Sequence, residues 1–280
     1  MGPRMSEPTV PYAEVIADSI NDRDDRLTTM KVVAHRFVLA EFNTHRVFSR
    51  NSASSRAIPL EKQLERVKTD PAWPLTWPAE QPGMQGGGEL EGTYKTWAEG
   101  LFLKARDAVV AEVESYMNNV LKESRLHKSY INRLLEPFMW HTIIVSSTEW
   151  ENFFAQRCSP LAQPEIRWAA EAMERALISS TPVKRSNSWH LPLVDEDLRK
   201  RVGDNTAAKI SAARCARVSY LTHDGVVDPV KDIDLYTRLA TAKPPHWSPL
   251  EHAARPSRSG ERSANFKGWT QLRQIEEDAS

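Results

Sequence analysis

The sequence predicts an α+β fold, and three stretches carry that prediction. Residues 28–40, TTMKVVAHRFVLA, are rich in Val, Phe and Thr, the composition of one or two pleated, half-buried strands. From Trp97 to Leu121 the period changes. Leu101, Ala105, Ala108, Val109, Val113, Met117, Val120 and Leu121 recur at spacings of three and four, which predicts an amphipathic helix with a broad buried face. The third stretch, IRWAAEAMERAL within residues 163–178, repeats the helical period.

Taken in order, the strand region at 28–40 precedes a Pro- and Gly-rich segment at about 70–94, which reads as a long loop. After the helix over 97–121 comes a second over Lys128–Glu136, ending near Pro137, since a proline cannot continue the backbone ladder. A third covers Thr148–Cys158, opened by a Ser-Ser-Thr cluster with Glu149 and Glu151 in its first turn. The fourth, Gln163–Ile178, carries Pro164 in its first turn. Residues 204–221 predict a short helix leading into RVSYL. Beyond a linker at 222–230, DIDLYTRLATA predicts another, stopped by Lys243-Pro-Pro. The last 25 residues are polar and basic and predict no element; no tandem repeat is present. The expected organisation is one domain over 26–280 behind an N-terminal extension, 1–25.

At 280 residues the chain is long enough to bury a core. Lys+Arg and Asp+Glu both number 37, and this zero net charge argues against a duplex-DNA-binding protein. Cys158 and Cys215 cannot build a disulfide framework and sit in no metal-ligand spacing. No apolar run approaches a membrane span, and MGPRMSEPTVPYAEV lacks the apolar stretch of a signal peptide. A cytoplasmic protein with no membrane or nucleic-acid partner is expected.

Three stretches carry candidate chemistry. In Glu41–Arg56, the basic residues His45, Arg46, Arg50 and Arg56 alternate with Ser49, Asn51, Ser52, Ser54 and Ser55. Guanidinium forks and hydroxyls at this density suit phosphate oxygens; a solvated turn between a strand and a helix has the same composition. In Asn132–Arg167, Asn152 and Arg157 fall five apart on one predicted helix beside Trp150, Phe153 and Phe154. An arginine there either binds a ligand or snorkels over the aromatic face. In PPHWSPLEH, His246 and His252 flank Glu251, but the spacing matches no zinc motif, so no metal is expected.

Together these stretches resemble the flavin-dependent thymidylate synthases. That family carries Arg-His-Arg, two residues, Ser, one residue, Asn-Glu, one residue, Ser, one residue, Arg; here His45, Arg46, Ser49, Asn51, Ser54 and Arg56 match. Arg133 and Pro137 match an Arg followed four residues later by Pro. Asn152, Arg157, Ala162, Gln163, Glu165 and Ile166 match a further ordered block. The family's Ala-Arg-Val-Ser-Tyr and His-x-Ser/Thr-Pro-x-Glu-His segments usually come first. Here AARCARVSY (212–220) and HWSPLEH (246–252) come last, which reads as a circular permutation.

The resemblance implies an antiparallel or mixed sheet with a helical bundle. It also implies transfer of a one-carbon unit from methylenetetrahydrofolate to C5 of dUMP, hydride from FADH2, NADPH as reductant, and no protein nucleophile. It assigns His45, Arg46, Asn152, Ser219, His246 and Ser248 to FAD. Ser54, Arg56, Arg133 and Arg157 go to a pyrimidine deoxynucleoside monophosphate, with Arg157 activating its base, in a homotetramer. The chain departs from the pattern at Thr44, Glu41, Ser52 and Ala57, where the family has Arg, Gln, Glu and Tyr. These changes leave room for dCMP as substrate, for a 5-hydroxymethyl product, or for a non-catalytic binder. Lys267, Gln271 and Arg273 of the tail are candidates to restore the lost cationic contacts.

Overall fold

The computed structural model describes residues 9–219, 228–257 and 260–279. Strands β1 (Tyr12–Ile20) and β2 (Arg26–His35) form an antiparallel hairpin with an irregularity between Val15 and Ala17. The Asn21 side chain closes its turn, accepting the backbone N–H of Arg23 and Asp25 at 2.8 and 3.0 Å. The sheet thus begins at Tyr12, inside the stretch expected as an N-terminal extension. Only the first part of 28–40 is strand. The chain then turns through α1 (Leu39–Asn43), which drops Phe42 into the core.

There follow β3 (Ser49–Ser52), α2 (Leu60–Thr69), α3 (Gly92–Asn119), α4 (Lys128–Leu135), β4 (Trp140–Ser147), α5 (Glu151–Arg157), α6 (Pro164–Ser179) and β5 (Val183–Lys184). The second half supplies α7 (Glu196–Val202), α8 (Asp204–Ala216), α9 (Pro229–Thr241), a 3-10 turn at Ser248–Glu251, the short strands β6 (Ala254–Pro256), β7 (Arg262–Ser263), β8 (Phe266–Lys267) and β9 (Trp269–Gln271), and α10 (Leu272–Ala279). The Pro/Gly-rich segment stays irregular as expected. It folds back on itself between Pro78 and Glu89, and a Cβ on Gly86 would collide with the Pro78 ring.

The main sheet has the order β3-β4-β2-β1-β5, antiparallel except for the β1–β5 pair. Side-chain alternation gives it two different faces. Met30, Val32, Ile143 and Val145 point toward α1, α5 and α6 and pack with Phe42, Phe48, Phe153, Ile166 and Met173. Thr29, Ile144 and Ser146 point the other way, where Cys215 of α8, Val218, His190 and His252 lie. The class is therefore α+β, with helices on both faces.

One expectation fails. The helix over 97–121 forms, but of its predicted apolar stripe only Val113 is buried, beside Val110 outside the stripe, while Leu101 is 71% exposed. The helix period is there, but Tyr94, Trp97 and Leu101 in its N-terminal half are exposed.

Candidate active site

The site lies at the sheet edge formed by β3. Three turns of backbone bonding close the link from α1 to β3, with Thr44, His45 and Phe48 donating to Glu41, Phe42 and His45 carbonyls. The His45 ring is buried edge-on against Phe153 at a centroid distance of 4.8 Å. Arg157, the last residue of α5, turns back onto this link. Its Nε donates to His45 Nε2 at 2.9 Å, and its Nη2 to Thr44 Oγ1 at 3.0 Å and the Glu41 carbonyl at 3.3 Å. Arg157 is thus docked on the motif rather than snorkelling.

Because His45 Nε2 accepts, the ring is neutral with its proton on Nδ1. Burial first, then the Arg157 and Arg50 guanidiniums, hold its pKa below the ordinary histidine value. Burial likewise lowers the pKa of Arg50, partly offset by Glu251; its Nη1 donates to the Phe42 and His45 carbonyls at 3.4 and 3.2 Å.

Alternation along β3 sends Ser49 and Asn51 to the opposite face, toward the C-terminal half. There Asn51 joins the two displaced segments. Its Nδ2 donates to the Cys215 carbonyl at 2.7 Å, and its Oδ1 accepts from Ser248 Oγ at 3.2 Å. So AARCARVSY and HWSPLEH both meet the arginine motif in space, despite lying 164 and 197 residues downstream. His252 is buried and its Nδ1 bonds Ser146 Oγ at 2.8 Å, whereas His246 is exposed.

Beyond β3 the chain passes Ser54, Ser55 and Arg56, held by α4. Asn132 Nδ2 donates to the Ser55 and Ile58 carbonyls at 2.7 and 3.0 Å, and Lys128 Nζ to the Ala57 carbonyl at 2.8 Å. Arg56 is exposed, and Arg133 is exposed with its guanidinium 3.7 Å from Glu136. No hydrogen bond or ion pair among the described residues joins Arg56 or Arg133 to the His45–Arg157 group. Arg46, Asn152 and Ser248 are exposed around the edge. Ser219 closes the turn Arg217–Ser219, and its side chain lies outside the described residues.

The tail does not supply the cations the departures remove. Lys267 Nζ lies 3.4 Å from Asp25, and Arg273 pairs with Glu251 and Glu277. Gln271 is buried, with its amide on Ser49. Its role, and that of Asn132, were not signalled by the sequence; Asn51 was, through its place in the motif. Burial raises the thiol pKa of Cys158 to about 11 and of Cys215 to about 12, so neither is a thiolate at neutral pH.

Residues 27–183 match the profile of the family described as thymidylate synthase complementing protein. The segments 212–220 and 246–252 lie outside that match. A comparison with curated protein sequences gives no match. Among solved structures, the chain is similar to a UMP/dUMP methylase, PolB from Streptomyces cacaoi, bound with 5-Br UMP. Identity is 17% and the TM-score 0.47, over 62% of this chain and 92% of that one.

Proposed function

The chain belongs to the thymidylate synthase complementing proteins, the flavin-dependent thymidylate synthase family, and on that premise we propose that it transfers a one-carbon unit from methylenetetrahydrofolate to C5 of dUMP, giving dTMP. The observation that carries this reading is Asn51, which ties both displaced segments to the arginine motif. It also supports reading the chain order as a permutation of one domain, with Tyr12–Ile20 as part of its sheet.

The donor set fits a phosphate-bearing flavin. Arg46, Asn152 and His246 are exposed, and their side chains make no hydrogen bond or ion pair among the described residues. With His45, Ser219 and Ser248 they would hold FAD. When bound and reduced by NADPH, FAD supplies the hydride that completes the methyl group. Ser54, Arg56, Arg133 and Arg157 would hold the nucleotide. Arg56 and Arg133 keep their charge toward solvent, where a phosphate can accept from both.

Arg157 carries the electrostatic task. Its Nε and Nη2 are fixed by His45 and Thr44, which leaves Nη1 for a pyrimidine carbonyl on which negative charge develops. Neutral His45 orients that guanidinium without adding a second charge beside it.

A second reading, dCMP as substrate, is favoured by Glu41. Its Oε2 is buried without a hydrogen-bond partner among the described residues, beside the Arg157 contact, and a carboxylate accepts from an exocyclic amine where a uracil carbonyl would be repelled. The deciding experiment incubates the protein with dUMP or dCMP, methylenetetrahydrofolate and NADPH and weighs the products. A dTMP mass from dUMP is expected. Product formed without NADPH or reduced flavin would refute the hydride step, and a hydroxymethyl mass would point to addition of water instead. Arg157→Ala is expected to lower kcat by about 10²-fold or more while flavin absorbance stays with the protein; full activity in that variant removes the base-activating role.

A further inference from the structure

We propose that the C-terminal segment Arg262–Glu277 is a brace that positions the site, with Gln271 and Arg273 as its positioning residues. The proposal rests on the reading above for which ligands the braced residues hold, but its geometry stands apart from it.

Gln271, buried at the end of β9, donates from one amide nitrogen to two separate pieces of the site. Nε2 lies 2.8 Å from Ser49 Oγ on β3 and 3.1 Å from the Glu251 carbonyl on the 3-10 turn that carries Ser248. An amide is the neutral side-chain group able to give two protons from a single atom at such a junction. Ser49 Oγ also accepts from Asn265 Nδ2 at 3.2 Å, so two tail residues hold the same motif serine.

Arg273 secures the same turn from its outer side. Nη1 donates to Glu251 Oε1 at 2.6 Å, and the guanidinium carbon lies 6.0 Å from the Trp247 ring centre. Glu251 also acts electrostatically on Arg50, so Arg273 shares its charge with a motif arginine. At the other end, Arg262 pairs with Glu149, and the Lys267 backbone N–H donates to Thr148 Oγ1 at 3.0 Å, next to the start of the helix that carries Arg157. The segment therefore touches β3, the Ser248 turn and the approach to α5. These are the three pieces whose spacing the site needs, and they come from distant parts of the chain.

The test uses Gln271→Glu, Arg273→Ala and the conservative Arg273→Lys, with Lys267→Ala as control because that ammonium faces Asp25. Hydrogen exchange on the full-length protein without ligand is read at 49–52 and 248–252 against β1 and β2. FAD and dUMP affinities are measured in parallel. Gln271→Glu replaces the donor with a carboxylate against two acceptors. It is expected to speed exchange at both segments by about tenfold, leave the β1–β2 hairpin unchanged, and weaken FAD or dUMP binding by about tenfold. Arg273→Ala is expected to act at 248–252 and Arg273→Lys to recover most of the loss. Unchanged exchange at both segments in Gln271→Glu overturns the brace, as does a uniform rise across the whole sheet. Wild-type protein that binds neither FAD nor dUMP counts against the functional reading alone, since the exchange comparison needs no ligand.

Discussion

His190 and His252 belong to a buried polar chain that runs from Ser19 to His252 across the sheet. Ser19 Oγ bonds His190 Nδ1 at 2.8 Å, His190 Nε2 bonds Thr29 Oγ1 at 2.7 Å, Thr29 bonds Ser146 at 2.6 Å, and Ser146 bonds His252 Nδ1 at 2.8 Å. Thr29 and Ser146 face each other in the β2–β4 register, so the hydroxyl pair follows from strand pairing itself. Burial lowers the pKa of both histidines to about 3, and burial with the Arg36 charge does the same to His141. The unfolded chain takes up these protons near its ordinary value of about 6.5, whereas the folded chain takes them up only near 3. Folding stability therefore falls as pH drops below about 6.5 and levels off below about 3. The slope is roughly 1.4 kcal/mol per pH unit for each histidine. Urea unfolding midpoints at pH 7.5, 6 and 5 should decline steeply, and His190→Gln should flatten that decline. A midpoint flat from 7.5 to 5 would mean these rings are not held neutral.

At the scale of elements, β3 is the seam between the two halves of the chain. Asn51 reaches α8 and the Ser248 turn on one face, and Arg50 reaches the Phe42 and His45 carbonyls on the other. Asn51→Ala should cost about 1–3 kcal/mol of unfolding free energy, because the Cys215 carbonyl loses its donor, and should weaken FAD binding as well. Asn51→Asp, which keeps the acceptor for Ser248 but not the donor, should recover only the second effect. Equal effects on stability and flavin in both variants would show that Asn51 acts through packing alone. How much of this was legible depends on how local each signal is. Helix α6 shows in the sequence because Pro164 and a 3.6-residue period act within one element. Strand β4 does not, because HTIIVSS is buried on nearly every residue and has no alternation to read. The C-terminal strands are two or three residues long, shorter than any period. Motif spacing exposes His45, Asn51 and Arg157. Gln271 and Asn132 act across 222 and 77 residues of sequence, and no local pattern encodes such contacts.

At the scale of the whole molecule, α3 is about 42 Å long; in its N-terminal half Phe102 packs with Trp73 and Phe138, and Lys95 pairs with Glu89. Tyr94, Trp97 and Leu101 follow one another at helical spacing and are 66, 65 and 71% exposed; on α4, Tyr130 and Leu134 are 65 and 57% exposed. An apolar stripe this long is costly in water and marks a contact with another surface. The homotetramer that the family resemblance implies would give that contact an occupant, a second copy of the chain. It would also explain why Arg56 and Arg133 are exposed, with no bond to the His45–Arg157 group among the described residues, if neighbouring copies complete each site. Light scattering on the wild type is then expected to give a tetramer. The double variant Trp97→Lys/Leu101→Lys should shift it to a smaller species with an unchanged helical circular dichroism spectrum, because neither side chain is buried within the chain. Loss of flavin together with assembly would place the cofactor between subunits, whereas a flavin-loaded monomer would place it within one. A variant that stays tetrameric would exclude this face from the contact.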